Sequence, residues 1–316
     1  MMLRPAASLA FIAALGAVFT SPILAQGAAP YTVVESGKRF ARLQEAVDSI
    51  GDGVGTVRIA AGTFADCAVQ TAGDVLYTAA EPGRTTLGGV PCEDKAALVL
   101  RGRSARVEGL AFANMKSSDG NGAGIRLEKG NLAVVQAWFH DSQQGILTAS
   151  DSAGTIAIDK STFTRLGTCE FSAGCAHSLY VGEYGALTVT RSRFEQGRGG
   201  HYVKSRAARV AVLNSSFDDS AGAYTNYMID LSNGATGRIA GNWMVQGRNK
   251  ENYSAFIAVA AEGKHNSSNF LTIEGNDARF VPGLARRSAF VADWSGDALR
   301  IGENAIGAGL VRFEKR

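Results

Sequence analysis

In the stretch "GGHYVKSRAARVAVLNSSF" (residues 199–217), His201, Tyr202, Lys204 and Arg206 fall within six residues of one another. Alternation along a strand sends Tyr202, Lys204 and Arg206 to one face and Val203 and Ser205 to the other, so the cations form a row. Such a row suits a carboxylate. The planar fork of Arg206 takes both carboxylate oxygens, and Lys204, Tyr180, His177 and His201 are the residue types that accept or donate protons. The plainer alternative is a solvated face carrying a Lys204–Asp230 ion pair, worth about 0–1 kcal/mol if exposed.

What positions the row is a repeat. "AALVLRGRSARVEGLAF", "GAGIRLEKGNLAVVQAWF", "QGILTASDSAGTIAIDKSTF", "HSLYVGEYGALTVTRSRF", "HYVKSRAARVAVLNSSF" and "YMIDLSNGATGRIAGNWM" each read strand, turn, strand, turn. Phe112, Phe139, Phe163, Phe194 and Phe217 close successive copies at intervals of 23 to 31 residues, and Ser161, Ser192 and Ser215 each stand two places earlier. Recurrence at this period marks a solenoid. The strands are short and the turns hold no crossover helix, so each copy makes one coil of a β-solenoid with parallel sheets. "RFARLQEAVDSI", with Phe40, Leu43, Val47 and Ile50 at helical spacing, supplies a capping helix over residues 39–50.

Alignment of the first strand of each copy puts Leu98, Ile125, Ile146, Leu179, Val203, Ile229 and Ile257 in one inward column. The outward neighbours are then Val99, Arg126, Leu147, Tyr180, Lys204, Asp230 and Ala258, followed two places on by Arg101, Glu128, Ala149, Gly182, Arg206, Ser232 and Ala260. Tyr180, Lys204 and Asp230 are therefore expected side by side, with His177 and His201 together at one edge and His140 at the same edge. Arg206, Asp230, His140 and Arg126 are the expected substrate-binding residues. Ser192, Ser215 and Asn242 are read as structural.

The 316 residues, 46% of them apolar, suffice for a large core, and 38 glycines against 6 prolines fit many tight turns. Residues 1–25 have the layout of a cleaved export signal, and no later stretch has the ~20 apolar residues of a membrane span. The expected mature domain is 26–316, secreted or periplasmic and monomeric. Loss of Arg4 takes the formal charge from +3 to about +2, and no basic stripe runs along the chain, which argues against nucleic acid. Cys67, Cys92, Cys169 and Cys175 are even in number in an exported chain. Three connectivities are open; closeness in sequence favours Cys67–Cys92 and Cys169–Cys175. No CxxC spacing indicates a metal site.

In its "FARLQEAVDSI…TVRIAAGTF" opening and in the coils that follow, over residues 31–310, the chain resembles the right-handed parallel β-helix proteins of the pectin lyase-like superfamily. The resemblance implies an all-β, single-stranded right-handed parallel β-helix with an N-terminal capping helix, and activities that range from polysaccharide lyases, hydrolases and epimerases to phage spikes and adhesins. A hydrolase needs two carboxyl groups about 5–9.5 Å apart. The outward columns show none, since Glu128 and Asp230 are four coils or roughly 19 Å apart. β-Elimination beside a uronate needs cations, a base and an acid, and these are present: Arg206 as carboxylate clamp, Lys204 as base, and Tyr180, His177 or His201 as acid. The expectation is an acidic-polysaccharide lyase without a cofactor, calcium being the one ion that some lyases of the superfamily use. A glycan-binding surface protein is the alternative, with an epimerase or glycoside hydrolase behind it.

Overall fold

The computed structural model describes residues 29–171 and 174–316; the export signal expected over 1–25 lies outside them. Strands of two to nine residues stack into three sheets of twelve, ten and ten strands that run the length of the molecule. Sheet 1 ends with Arg300–Ile301, sheet 2 runs from Gly62–Phe64 to Ala305–Ile306, and sheet 3 from Ala68–Gln70 to Leu310–Lys315. The strands thus run from Tyr31 to Lys315. Among the described residues no helix is long and apolar enough to cross a membrane.

Neighbouring strands pair in parallel except at the N-terminus, where Tyr31–Val33 runs antiparallel to both Lys38–Phe40 and Val54–Ile59. This small antiparallel cap departs from the all-parallel expectation. It also shortens the helix to Leu43–Ile50, because Phe40 is taken into a strand opposite Tyr31. Leu43, Ala46 and Val47 bury the helix's apolar face over the first coil. The Asp66 carboxylate accepts the Leu43 N–H at 2.9 Å, satisfying one of the free donors of the helix start.

Inside, the predicted column is in register: Leu98, Ile125, Ile146, Leu179, Val203, Ile229 and Ile257 pair in turn and are fully buried. The five phenylalanines stack face to face with centroids 4.6–5.0 Å apart. In the same register Phe217 is followed by Met244 and Ala278. At the adjoining corner the serines and asparagines form a ladder. Ser161 N–H donates to Ser192 Oγ, Ser192 to Ser215, Ser215 to Asn242 and Asn242 to Asn276, at 2.9–3.1 Å. These side chains are structural, as read from the sequence: they satisfy buried turn amides that no strand can reach. Both disulfides are the ones favoured, Cys67–Cys92 and Cys169–Cys175.

Candidate functional site

The outer face of sheet 3 carries the cationic row. Tyr180 pairs with Lys204 and Lys204 with Asp230, one residue from each of three consecutive coils. Lys204 Nζ and the Arg206 guanidinium each stand 5.5 Å from the centre of the Tyr180 ring, within cation–π range. Lys204 Nζ is 3.6 Å from Asp230 Oδ2, which also accepts a 2.7 Å hydrogen bond from Ser232. The Tyr180 hydroxyl has no hydrogen-bond partner among the described residues.

His177 and His201 meet where the alignment places them, ring centres 4.9 Å apart. The His201 backbone N–H donates to His177 Nδ1 at 3.0 Å, so neutral His177 carries its proton on Nε2. Burial, reinforced by Lys204 and Arg206, pushes the His177 imidazole down to about 3. Burial also takes His201 well below its ordinary value, although its Nε2 lies 3.6 Å from Asp230. Asp230 is pushed up to about 6 by burial, against the pull of Lys204.

Two placements differ from the sequence reading, those of Tyr202 and His140. Tyr202 does not join the row; it turns inward beside Val203, donates to Asp219 at 2.8 Å and packs on Phe217. Gly200 in a left-handed conformation (φ 58°) and the bend at Tyr202 interrupt the alternation, which leaves His201 facing out. His140 is on sheet 2, stacked on Trp138 and bonded to Asp141, and touches neither of the other two histidines. Arg126 keeps its column, but Leu147 separates it from Tyr180, and it borders a cavity of about 110 Å³ with Asp94 and Asp119.

The residue that the columns could not show is Glu262, in the turn after Ala255–Val259. Its carboxylate bridges Lys204 and Arg206. Although burial raises it, hydrogen bonds to Lys204 and the nearby Arg206 charge hold Glu262 below the usual carboxylate range. Asp230 and Glu262 therefore form the carboxylate pair that the strand columns lack, with Lys204 Nζ between them. That position holds an ammonium and does not fit a calcium ion; among the described residues no group of three His, Cys, Asp or Glu is arranged to hold a metal. The sequence offered one cue, an acid in the turn two coils beyond an unbalanced Lys–Arg pair.

Among the described residues, five of the seven buried side-chain polar atoms without a hydrogen-bond partner lie on this one face: Arg126 Nε, Gln144 Oε1, His201 Nδ1, Arg206 Nε and Asp230 Oδ1. Unmet capacity of this kind is rare in folded interiors and costly. Behind the face, Asp219 and Lys250 form a fully buried pair at 3.1 Å, with Thr225 and Tyr202 completing the carboxylate's shell. The Gly247 N–H also donates to that carboxylate, at 3.0 Å, while the Nε2 of neighbouring Gln246 has no hydrogen-bond partner.

Fold and face together define a parallel β-helix with a polar, cation-bearing face on one sheet. No protein-family model matches the chain, and no curated protein matches its sequence. Among solved structures it is similar to a PL6 family alginate lyase, with a TM-score of 0.50, 12% identity and coverage of 84% of this chain and 39% of the lyase. It is similar also to ORF18 of Geobacillus virus E2, with a TM-score of 0.52, 13% identity and coverage of 86% and 55%. The likeness is one of fold. The chain spans about two fifths of the lyase's length and just over half of the viral protein's.

Proposed function

We propose that the protein acts on an acidic polysaccharide laid along the outer face of sheet 3, cleaving it by β-elimination beside a uronate. The observation that carries this reading is the bridging of Lys204 and Arg206 by a single carboxylate, that of Glu262, within a face that holds most of the unmatched buried polar atoms. A pair spaced to hold one carboxylate suits a uronate, and a face with donors and acceptors to spare suits a ligand. The alginate lyase among the structural neighbours shares the fold and is in keeping with this reading.

Substrate would displace Glu262 and place its carboxylate on Arg206 and Lys204, which neutralise the charge that develops as the C5–H bond breaks. Tyr180, whose hydroxyl is otherwise unengaged and which stands beside both cations, takes the C5 proton as its phenolate. The C4–C5 double bond forms as the C4–O bond breaks, and the leaving oxygen receives the proton that Tyr180 has just taken, while the Nε2–H of neutral His177, whose ring meets Tyr180 edge-on at 5.2 Å, donates a hydrogen bond to that oxygen. Lys204 is moved here from base to charge neutraliser because its ammonium is engaged by two carboxylates. No step requires a metal ion.

Hydrolysis is the second reading. Asp230 is raised by burial while Glu262 is lowered by its cations, and divergence of this kind is how one site provides both an acid and a base. One assay separates the two. Alginate, polygalacturonate and acidic exopolysaccharides are incubated with the protein and followed for ultraviolet absorbance and for reducing ends. Unsaturated product supports elimination, reducing ends alone support hydrolysis, and binding with neither leaves a recognition protein.

A further inference from the structure

The outer columns of sheet 3 offer few rings on which a sugar could stack, yet two aromatic side chains stand exposed just beyond its histidine edge. Phe171 is 57% and Tyr224 62% exposed. Both line a cavity of about 460 Å³, together with Lys116, Arg198 and Glu170. One wall is the loop closed by Cys169–Cys175, which leads through the Thr168–Ala176 bridge directly into His177. The cavity and the row therefore lie on either side of the Thr168–Ala176 bridge.

Tyr224 has a left-handed backbone (φ 54°), an uncommon conformation for a bulky residue and one that clusters at functional sites. Phe171 lies over Gly120, where an added Cβ would fall 2.6 Å from the Cβ of Phe171; the absence of a side chain lets the ring settle there. Lys116 makes no hydrogen bond or ion pair with any described residue. Arg198 has only a 3.2 Å contact with Asp141, whose carboxylate is already bound more closely by Arg165 at 2.6 and 2.8 Å.

We propose that this cavity is a second sugar subsite, taking a uronate-bearing pyranose of the same polysaccharide, with the ring against Tyr224 and Phe171 and the carboxylate on Lys116 and Arg198. Aromatic faces pack on the C–H face of a pyranose, the cations meet the acid, and Glu170 accepts from ring hydroxyls. The inference rests on the reading of sheet 3 as an acidic-glycan groove and extends that groove past the disulfide loop, so that longer chains are held at two points.

Titration calorimetry with disaccharides and hexasaccharides of alginate and of polygalacturonate tests it, on the wild type and on Tyr224→Asn, Lys116→Ala and Arg206→Ala. Asparagine tolerates the left-handed backbone, so Tyr224→Asn removes the ring without a folding cost. The two subsite variants should weaken hexasaccharide binding roughly five- to tenfold and leave disaccharide binding at the row unchanged, while Arg206→Ala weakens both. Hexasaccharide affinity unchanged in Tyr224→Asn and Lys116→Ala but reduced in Arg206→Ala overturns the subsite and leaves the row standing. Loss in the subsite variants with none in Arg206→Ala supports the subsite and overturns the row. A wild type that binds none of these probes overturns both.

Discussion

Glu262 reaches Lys204 across 58 residues of chain and bonds its ammonium directly. The contact joins a turn to a strand two coils away and sets a protein carboxylate where a substrate carboxylate is proposed to sit. Glu262→Gln should therefore raise affinity for an acidic oligosaccharide several-fold, since the ligand no longer displaces a bound anion; about tenfold would correspond to 1.4 kcal/mol. Calorimetry on the single variant is sufficient, and weaker binding would assign Glu262 to substrate contact instead.

Lys204, Arg206 and Tyr180 should separate kinetically once a turned-over polymer is in hand. Tyr180→Phe removes only a hydroxyl and is expected to lower kcat on the order of 10² to 10⁴ with little change in KM. Arg206→Ala should lower kcat and raise KM together, because a carboxylate clamp acts in ground and transition states alike. Wild-type rates in Tyr180→Phe, Lys204→Ala and Arg206→Ala would reduce the row to a solvated face.

Asp230 gives a pH signature. Its pKa rises from 3.8 unfolded to about 6 folded, through burial, so the folded state binds the proton more tightly. Its contribution is full below about pH 4 and is lost as pH rises through 6, on the order of 1–3 kcal/mol. Asp230→Asn abolishes that loss. The melting temperature of the variant relative to wild type should climb between pH 4 and pH 7, and a flat difference would show that Asp230 titrates normally.

His177 runs the other way. With its folded pKa pushed down to about 3 by burial and the two cations, it favours the folded state above pH 6.5, and that contribution falls away as pH drops toward 3. Imidazole ¹⁵N shifts at pH 5 should report a neutral ring protonated on Nε2. A cationic ring at that pH would contradict the accepted hydrogen bond at Nδ1.

Lys250→Met tests the pair behind the face. Removing one partner of a fully buried ion pair is expected to cost about 3–5 kcal/mol, read as a large drop in denaturation midpoint with KM unchanged in the fraction that folds. A small effect would show that the hydrogen bonds from Tyr202, Thr225 and the Gly247 N–H suffice to hold Asp219.

The inward columns, the stacked phenylalanines, the serine–asparagine ladder and the adjacency of Tyr180, Lys204 and Asp230 were legible in the sequence because a coil repeats its register. Whatever depends on a broken register was not. Tyr202 follows a left-handed glycine and faces in alongside Val203, which period-two counting cannot register. Glu262 belongs to a turn, and turns have no column. His140 was expected at the same edge as His177 and His201, yet it belongs to a strand of sheet 2, whereas His201 precedes the sheet 3 strand Val203–Ser205. The N-terminal helix lost Phe40 to a strand, since pairing with Tyr31 outweighed helical spacing.

The aromatic stack ends at Phe217, and Met244 and Ala278 continue it with progressively less ring or methylene to bury. That column thins within the proposed site: Tyr180 and Lys204 belong to the coils that carry Phe194 and Phe217, whereas Glu262 belongs to a coil beyond them, where Phe256 and Phe290 are the buried rings instead. In native-state hydrogen exchange, amides after about residue 240 should open at lower free energy than those around the phenylalanines. The anion that covers the cations would then be released by breathing of the C-terminal coils while the cations stay in place, so that access to Lys204 and Arg206 is set by the local melting of one end of the solenoid.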